Sequence, residues 1–170
     1  MRAILERCEL FQGLDDEQIS PLVAIARHQE LSRGDYLFLL GDHADRLYVV
    51  LAGKVEVCFP LSFGGALRDV AVETEVSGGT LGWSALVKPY RFTLSARAAE
   101  RCEVAAFLRQ ELLGVLDRDS RLGRALMGRI AEMTGRRLLT MQALLARELQ
   151  RTVAAGWSAL PDPVTGQGGR

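Results

Sequence analysis

Glycine-marked turns cut the segment from His28 to Leu108 into short runs rich in Val, Leu, Tyr and Phe, a punctuation that fits strands rather than helices. Gln29–Ser32 and Tyr36–Leu40 read as strands, with Arg33-Gly34-Asp35 as the turn between them. Gly41-Asp42 turns again before a third strand over Arg46–Leu51, and Ala52-Gly53-Lys54 turns tightly into Val55–Phe59. Pro60–Ala66 reads as a glycine-containing loop. Leu67–Val76 and Phe92–Arg97 alternate as strands, and Glu103–Leu108 is the last. Gly34, Gly41 and Gly53 are the residues expected to supply positive φ at the turns. Short strands at regular spacing predict a mainly β fold, an antiparallel jelly-roll barrel.

Helices flank this region. Ile4, Leu5 and Cys8 predict a short helix, and Leu10, Phe11 and Leu14 continue its spacing. Asp15, followed by acidic Asp16 and Glu17, is an N-cap for a helix to about Arg27 that buries Ile19, Leu22, Val23 and Ala26. Pro21 lies inside that span and predicts a kink or a later start. After the strands, Arg109–Leu116 turns helical, and Asp119 or Ser120 caps a long helix. Its apolar residues Leu122, Leu126, Ile130, Met133, Leu138, Met141, Leu145 and Leu149 recur mostly at three and four, one continuous stripe. A small barrel cannot cover such a helix along its length, so Met133, Leu138, Met141 and Leu145 predict a seam with a second copy through the 119–152 helix. The expected organisation is a helical segment over 1–28, a barrel over 29–108, helices over 109–155 and a disordered tail over 156–170.

Composition excludes several classes. With 170 residues, 48% hydrophobic and 25% charged, the chain is neither disordered nor long enough for several domains. A formal net charge of +0 gives no global attraction to nucleic acid or membrane. Charges interrupt the first residues, so no signal peptide is read there, and no apolar run reaches membrane-spanning length. Cys8, Cys58 and Cys102 are far apart and read as buried, reduced thiols of a cytoplasmic protein. His28 and His43 stand alone. Asp42, His43 and Asp45 fall in an expected exposed turn, so neither a metal site nor nucleophilic catalysis is expected.

The pattern from Gly34 to Val57, G-D-x-x-x-x-x-G-D-x-x-D-x-L-Y-V-V-L-x-G-K-V-E-V, resembles the cyclic-nucleotide-binding domains of the catabolite-activator type. L-F-Q-G-L before an acidic cap resembles the N-terminal helices of the same family. Val76–Cys102 resembles its phosphate-binding cassette, F-G-E-x-A-L, a short helix, then R-[AST]-A, with Leu81, Gly82, Ala85 and Leu86 matching. Two positions depart from it. The family glutamate that holds the ribose hydroxyl falls on Trp83. With Ala98, Cys102, Glu103 and Val104 aligned, the phosphate-pairing arginine falls on Phe92, and Arg91 stands one residue early. A shift of one residue points a strand side chain to the opposite face, so Arg91 reaches the pocket only through a bulge.

The resemblance implies a non-enzymatic regulatory module that binds cyclic AMP, cyclic GMP or another small anion through Gly82, Trp83, Ser84, Ala85, Arg91 and Thr93, with no further cofactor. Each residue also has a plainer reading. Trp83 packs the short helix or plugs the pocket, Ser84 caps that helix, Thr93 suits a strand, and Arg91 is a solvated edge charge. Arg97 is a weaker candidate for the anion. Arginines 121, 124, 129, 136, 137, 147 and 151 outnumber Glu132 and Glu148 on the long helix, which fits a solvated face, and otherwise an acidic partner or nucleic acid. About twenty residues follow Arg151, too few for the winged helix-turn-helix of the transcription-factor members, so a stand-alone module is expected and direct DNA binding is not. The alternatives are a degenerate sensor serving as a protein-interaction scaffold, and a transcription regulator without its own DNA-binding domain.

Overall fold

The computed structural model describes residues 1–158. Two compact units divide the chain, Met1–Ile130 and the part from Ala131 onward. In order, the elements are α1 (Arg2–Leu5), α2 (Asp16–Ile25), β1 (Arg27–Leu31), β2 (Tyr36–Phe38), β3 (Arg46–Ala52), β4 (Val55–Phe63) and β5 (Ala66–Glu75). There follow β6 (Thr80–Leu81), a 3-10 turn (Trp83–Ala85), β7 (Ser95–Ala98), β8 (Cys102–Leu108), α3 (Arg109–Arg118) and α4 (Ser120–Ser158). Residues 159–170 of the expected tail lie outside the described residues, and residues 156–158 are helical.

Two four-stranded antiparallel sheets, ordered β1-β8-β3-β6 and β2-β7-β4-β5, form the expected barrel. Their facing sides share one buried cluster. Tyr48, Val50, Leu81, Val104 and Ala106 come from the first sheet, and Val55, Val57, Ala96 and Ala98 from the second. The other face of the first sheet meets the N-terminal segment between α1 and α2: Phe107 and Phe11 are in edge-to-face contact with ring centroids 5.4 Å apart. Alternation in β3 and β8 thus buries both faces of the central strands. Gly34, Gly41 and Gly53 all have positive φ, as their turn positions require.

Several boundaries differ from expectation for identifiable reasons. The first helix stops at Leu5. Cys8, Leu10 and Phe11 are buried from turns instead, so their spacing reflects packing rather than a continued helix. α2 starts at Asp16 and contains Pro21, while the Asp15 carboxylate accepts from Gln18 N in a capping box. β2 ends at Phe38 because the next amides bond elsewhere, Leu39 N to the Asp42 carboxylate and Leu40 N to Ser95 Oγ. The expected loop 60–66 is mostly strand. Pro60 pairs with Asp69 beyond the four residues, Val55–Cys58, where β4 also meets β7, so one edge of the strand is open at the proline.

Thr80 lies on β6 opposite Val49 and is 2% exposed, and its Oγ1 has no hydrogen-bond partner among the described residues. A buried hydroxyl without a partner opposes folding, so Thr80→Val is expected to stabilise the chain by about 1 kcal/mol in urea titration. A loss of stability would show that the hydroxyl is satisfied in solution.

Candidate functional site

The cassette region begins where β6 ends. Gly82 N-caps the 3-10 turn with φ +73°, in the left-handed region. A Cβ there would stand 2.8 Å from Arg46 O, 3.2 Å from the Phe92 ring and 3.3 Å from the Tyr48 ring. Glycine is therefore required at this position for both conformation and space. No side chain caps the turn: Ser84 lies within it, buried at 6%, and so does not take the expected cap position. Ala85 is fully buried and Trp83 half-buried, so Trp83 is not the group that fills the barrel.

Phe92 is that group. It is 4% exposed, and its ring stacks on Phe38 with centroids 3.8 Å apart and planes at 12°. Phe38 in turn stacks on Tyr48 at 5.9 Å. The three rings run from one sheet to the other and close against Gly82.

Arg91, its neighbour, is exposed, and its Nη1 donates to Gly41 O at 2.8 Å. His43 and Arg91 form an isolated bridge, and Gly41 N and Phe92 N exchange bonds with Phe92 O and Asp42 O. This loop pairing takes the place of the strand expected from Phe92, so β7 starts at Ser95 and Thr93 is exposed in a bend. The inward series Phe92, Leu94, Ala96, Ala98 nonetheless keeps the alternation that the sequence shows. That series was the available signal for Phe92, whereas the rings that meet it, Phe38 and Tyr48, come from separate strands and had none.

Arg97 points to the other side of β7 and forms an ion pair with Glu56 at 2.8 Å. The carboxylate holds its guanidinium above the usual value, chiefly through that hydrogen bond. Both residues line a cleft of about 240 Å³ with Arg33, Gly34, Ala98 and Ala99. The expected turn residues Asp42, His43 and Asp45 are exposed, and His28 bonds Glu103 across β1 and β8 at 2.9 Å. Burial raises the thiols of Cys8, Cys58 and Cys102, with Cys8 pushed up to about 11, so none is a thiolate at neutral pH.

The site thus sits on a two-sheet barrel with a glycine-started turn between β6 and β7, followed in the chain by α3 and the long α4. The family model for the cyclic nucleotide-binding domain matches residues 28–119, and the chain belongs to that family. A CRP-like cAMP-activated global transcriptional regulator of Mycobacterium tuberculosis is 35% identical over 57 residues, covering 34% of this chain and 25% of that protein. A cyclic AMP receptor protein of Thermus thermophilus is 29% identical over 109 residues, 64% of this chain and 49% of that one. The chain therefore spans between a quarter and about half of these relatives. Among solved structures, the N-terminal domain of a transcriptional regulator from Streptomyces coelicolor superposes with a TM-score of 0.65 at 32% identity, covering 78% of this chain and 93% of that one. No described helix is long and apolar enough to cross a membrane.

Proposed function

We propose that this chain is a regulatory domain whose barrel is closed to a cyclic phosphate by its own aromatic side chains, and that it acts as an interaction module through self-association of α4. The observation that carries this reading is the Phe92 ring, buried and stacked at 3.8 Å on Phe38, beside an Arg91 that is exposed and bonded to Gly41 O. A ligand entering through Gly82, Trp83, Ser84, Ala85, Arg91 and Thr93 would first have to displace that ring, at a cost of about 3–5 kcal/mol. Lack of a glutamate at Trp83 removes a further charged hydrogen bond of roughly 1.5–3 kcal/mol. Together these weaken a ligand that would otherwise bind at about 1 μM to millimolar or beyond. A ligand can shift a regulatory equilibrium only by its differential affinity for the two states, so a cyclic nucleotide has little leverage here.

The exposed face of α4 supports the interaction role. Met133 of the expected seam is only 8% exposed, whereas Leu138, Met141, Leu145 and, beyond them, Leu149 recur at three and four and are between 56% and 61% exposed. The self-complementary occupant for such a stripe is a second copy of the same helix, as in a coiled coil. One titration series tests both halves of the reading. The chain at micromolar concentration is expected to scatter light as a dimer, and Leu145→Glu with Leu149→Glu to run as a monomer. Cyclic AMP or cyclic GMP at 1 mM is expected to leave its melting temperature unchanged. A monomeric wild-type chain removes the self-association, and a clear thermal shift with either nucleotide removes the closed barrel.

A further inference from the structure

Tyr90 is the one non-glycine residue with positive φ among the described residues, at +59°. A tyrosine in the left-handed region is strained and stays there only when its surroundings hold it. The Tyr90 backbone N donates to Val87 O at 3.0 Å, and the ring faces Arg109, the first residue of α3, whose guanidinium lies 4.6 Å from the ring centroid. Arg109 Nη1 also donates to Ala44 O at 3.2 Å, and Ala44 N donates to Tyr90 O at 2.8 Å. Its backbone N donates to Asp45 O at 2.8 Å. Arg109, Ala44 and Tyr90 thus form a closed triangle. It joins the loop after β2, the turn that leads into Phe92, and the start of α3.

We propose that Arg109 is a latch. It holds the strained turn at Tyr90, and with it the Phe92 ring, in the closed form, and it ties that turn to the first turn of α3. Opening of the barrel and movement of α3 are then one event rather than two. Linkage makes the coupling reciprocal: whatever draws Arg109 away loosens Phe92, and whatever displaces Phe92 loosens the start of α3. The latch stands on contacts within the barrel unit; it rests on the closed barrel of the proposed function and adds to it a coupling to α3.

Amide hydrogen exchange on the full chain tests this. Arg109→Met keeps the aliphatic stem and removes the charge. Tyr90→Leu removes the aromatic ring and keeps a smaller apolar side chain. Both are expected to speed exchange at the amides of Gly41, Ala44 and Phe92 by about tenfold, the scale of one partly buried cation–π contact. The amides of Val50 and Val104, in β3 and β8, should keep their rates. Tyr90→Phe preserves the aromatic face and should leave all five unchanged. Unchanged exchange at the three loop amides in the variant that folds overturns the latch. So does acceleration of all five amides by one factor, which would mark a general loss of stability. Should Arg109→Met not fold, Tyr90→Leu gives the same discrimination.

Discussion

Phe92→Ala is expected to lower the unfolding free energy by about 3–5 kcal/mol, read from the midpoint of urea denaturation. The ring is 4% exposed and stacked at 3.8 Å, and the backbone around it is fixed by the paired loops at Gly41 and Asp42, so the site cannot collapse to fill the space. The cavity would be lined by Phe38, Tyr48 and Gly82 and would stay apolar. Small aromatic probes such as benzene should then raise the melting temperature of the variant but not of the wild-type chain. A loss below about 1 kcal/mol would mean that the ring does not fill the barrel in solution, and would reopen the case for an entering ligand.

Gly53→Ala should be about as damaging, for a different reason. At φ +79° a Cβ would lie 2.5 Å from Arg101 O and 2.7 and 2.8 Å from Cβ and Cα of Cys102. Those atoms are backbone, or fixed to it, so the β3–β4 turn and the start of β8 have to separate. Left-handed strain of about 1–2 kcal/mol and overpacking of about 1–3 kcal/mol add to a loss of roughly 2–5 kcal/mol. Gly41→Ala is the control, with φ +88° and no atom within 4 Å of the added carbon, so only the conformational part remains. Equal losses at the two glycines would show that the close approach to β8 is relieved in solution.

The barrel was legible in the sequence because its turns are encoded locally. A glycine forced to positive φ between two apolar runs fixes where a strand ends, and Gly34, Gly41 and Gly53 all behave so. Strand ends set by distant partners were less legible. Leu40 leaves β2 for the Ser95 hydroxyl, 55 positions away, and β4 runs through Pro60 because β7 stops pairing earlier. In the candidate site, the departures from the family cassette at Trp83 and Phe92 were visible. Which aromatic enters the barrel was not, because Phe38, Tyr48 and Phe92 meet only once three segments are folded together. Arg109 left no signal either: its role depends on Tyr90 and Ala44, neither near it in sequence.

The β4–β5 hairpin outreaches the sheet that carries it. From Phe59 onward β4 has β5 alone beside it, up to the turn at Gly64-Gly65. Such a ribbon behaves as a cantilever: its root is clamped by β7, and its tip contributes little to the stability of the whole. Evolution, or an engineer, can therefore lengthen, shorten or split the chain at Gly64-Gly65 at small thermodynamic cost, which makes that tip the natural port for an inserted domain or new chain ends.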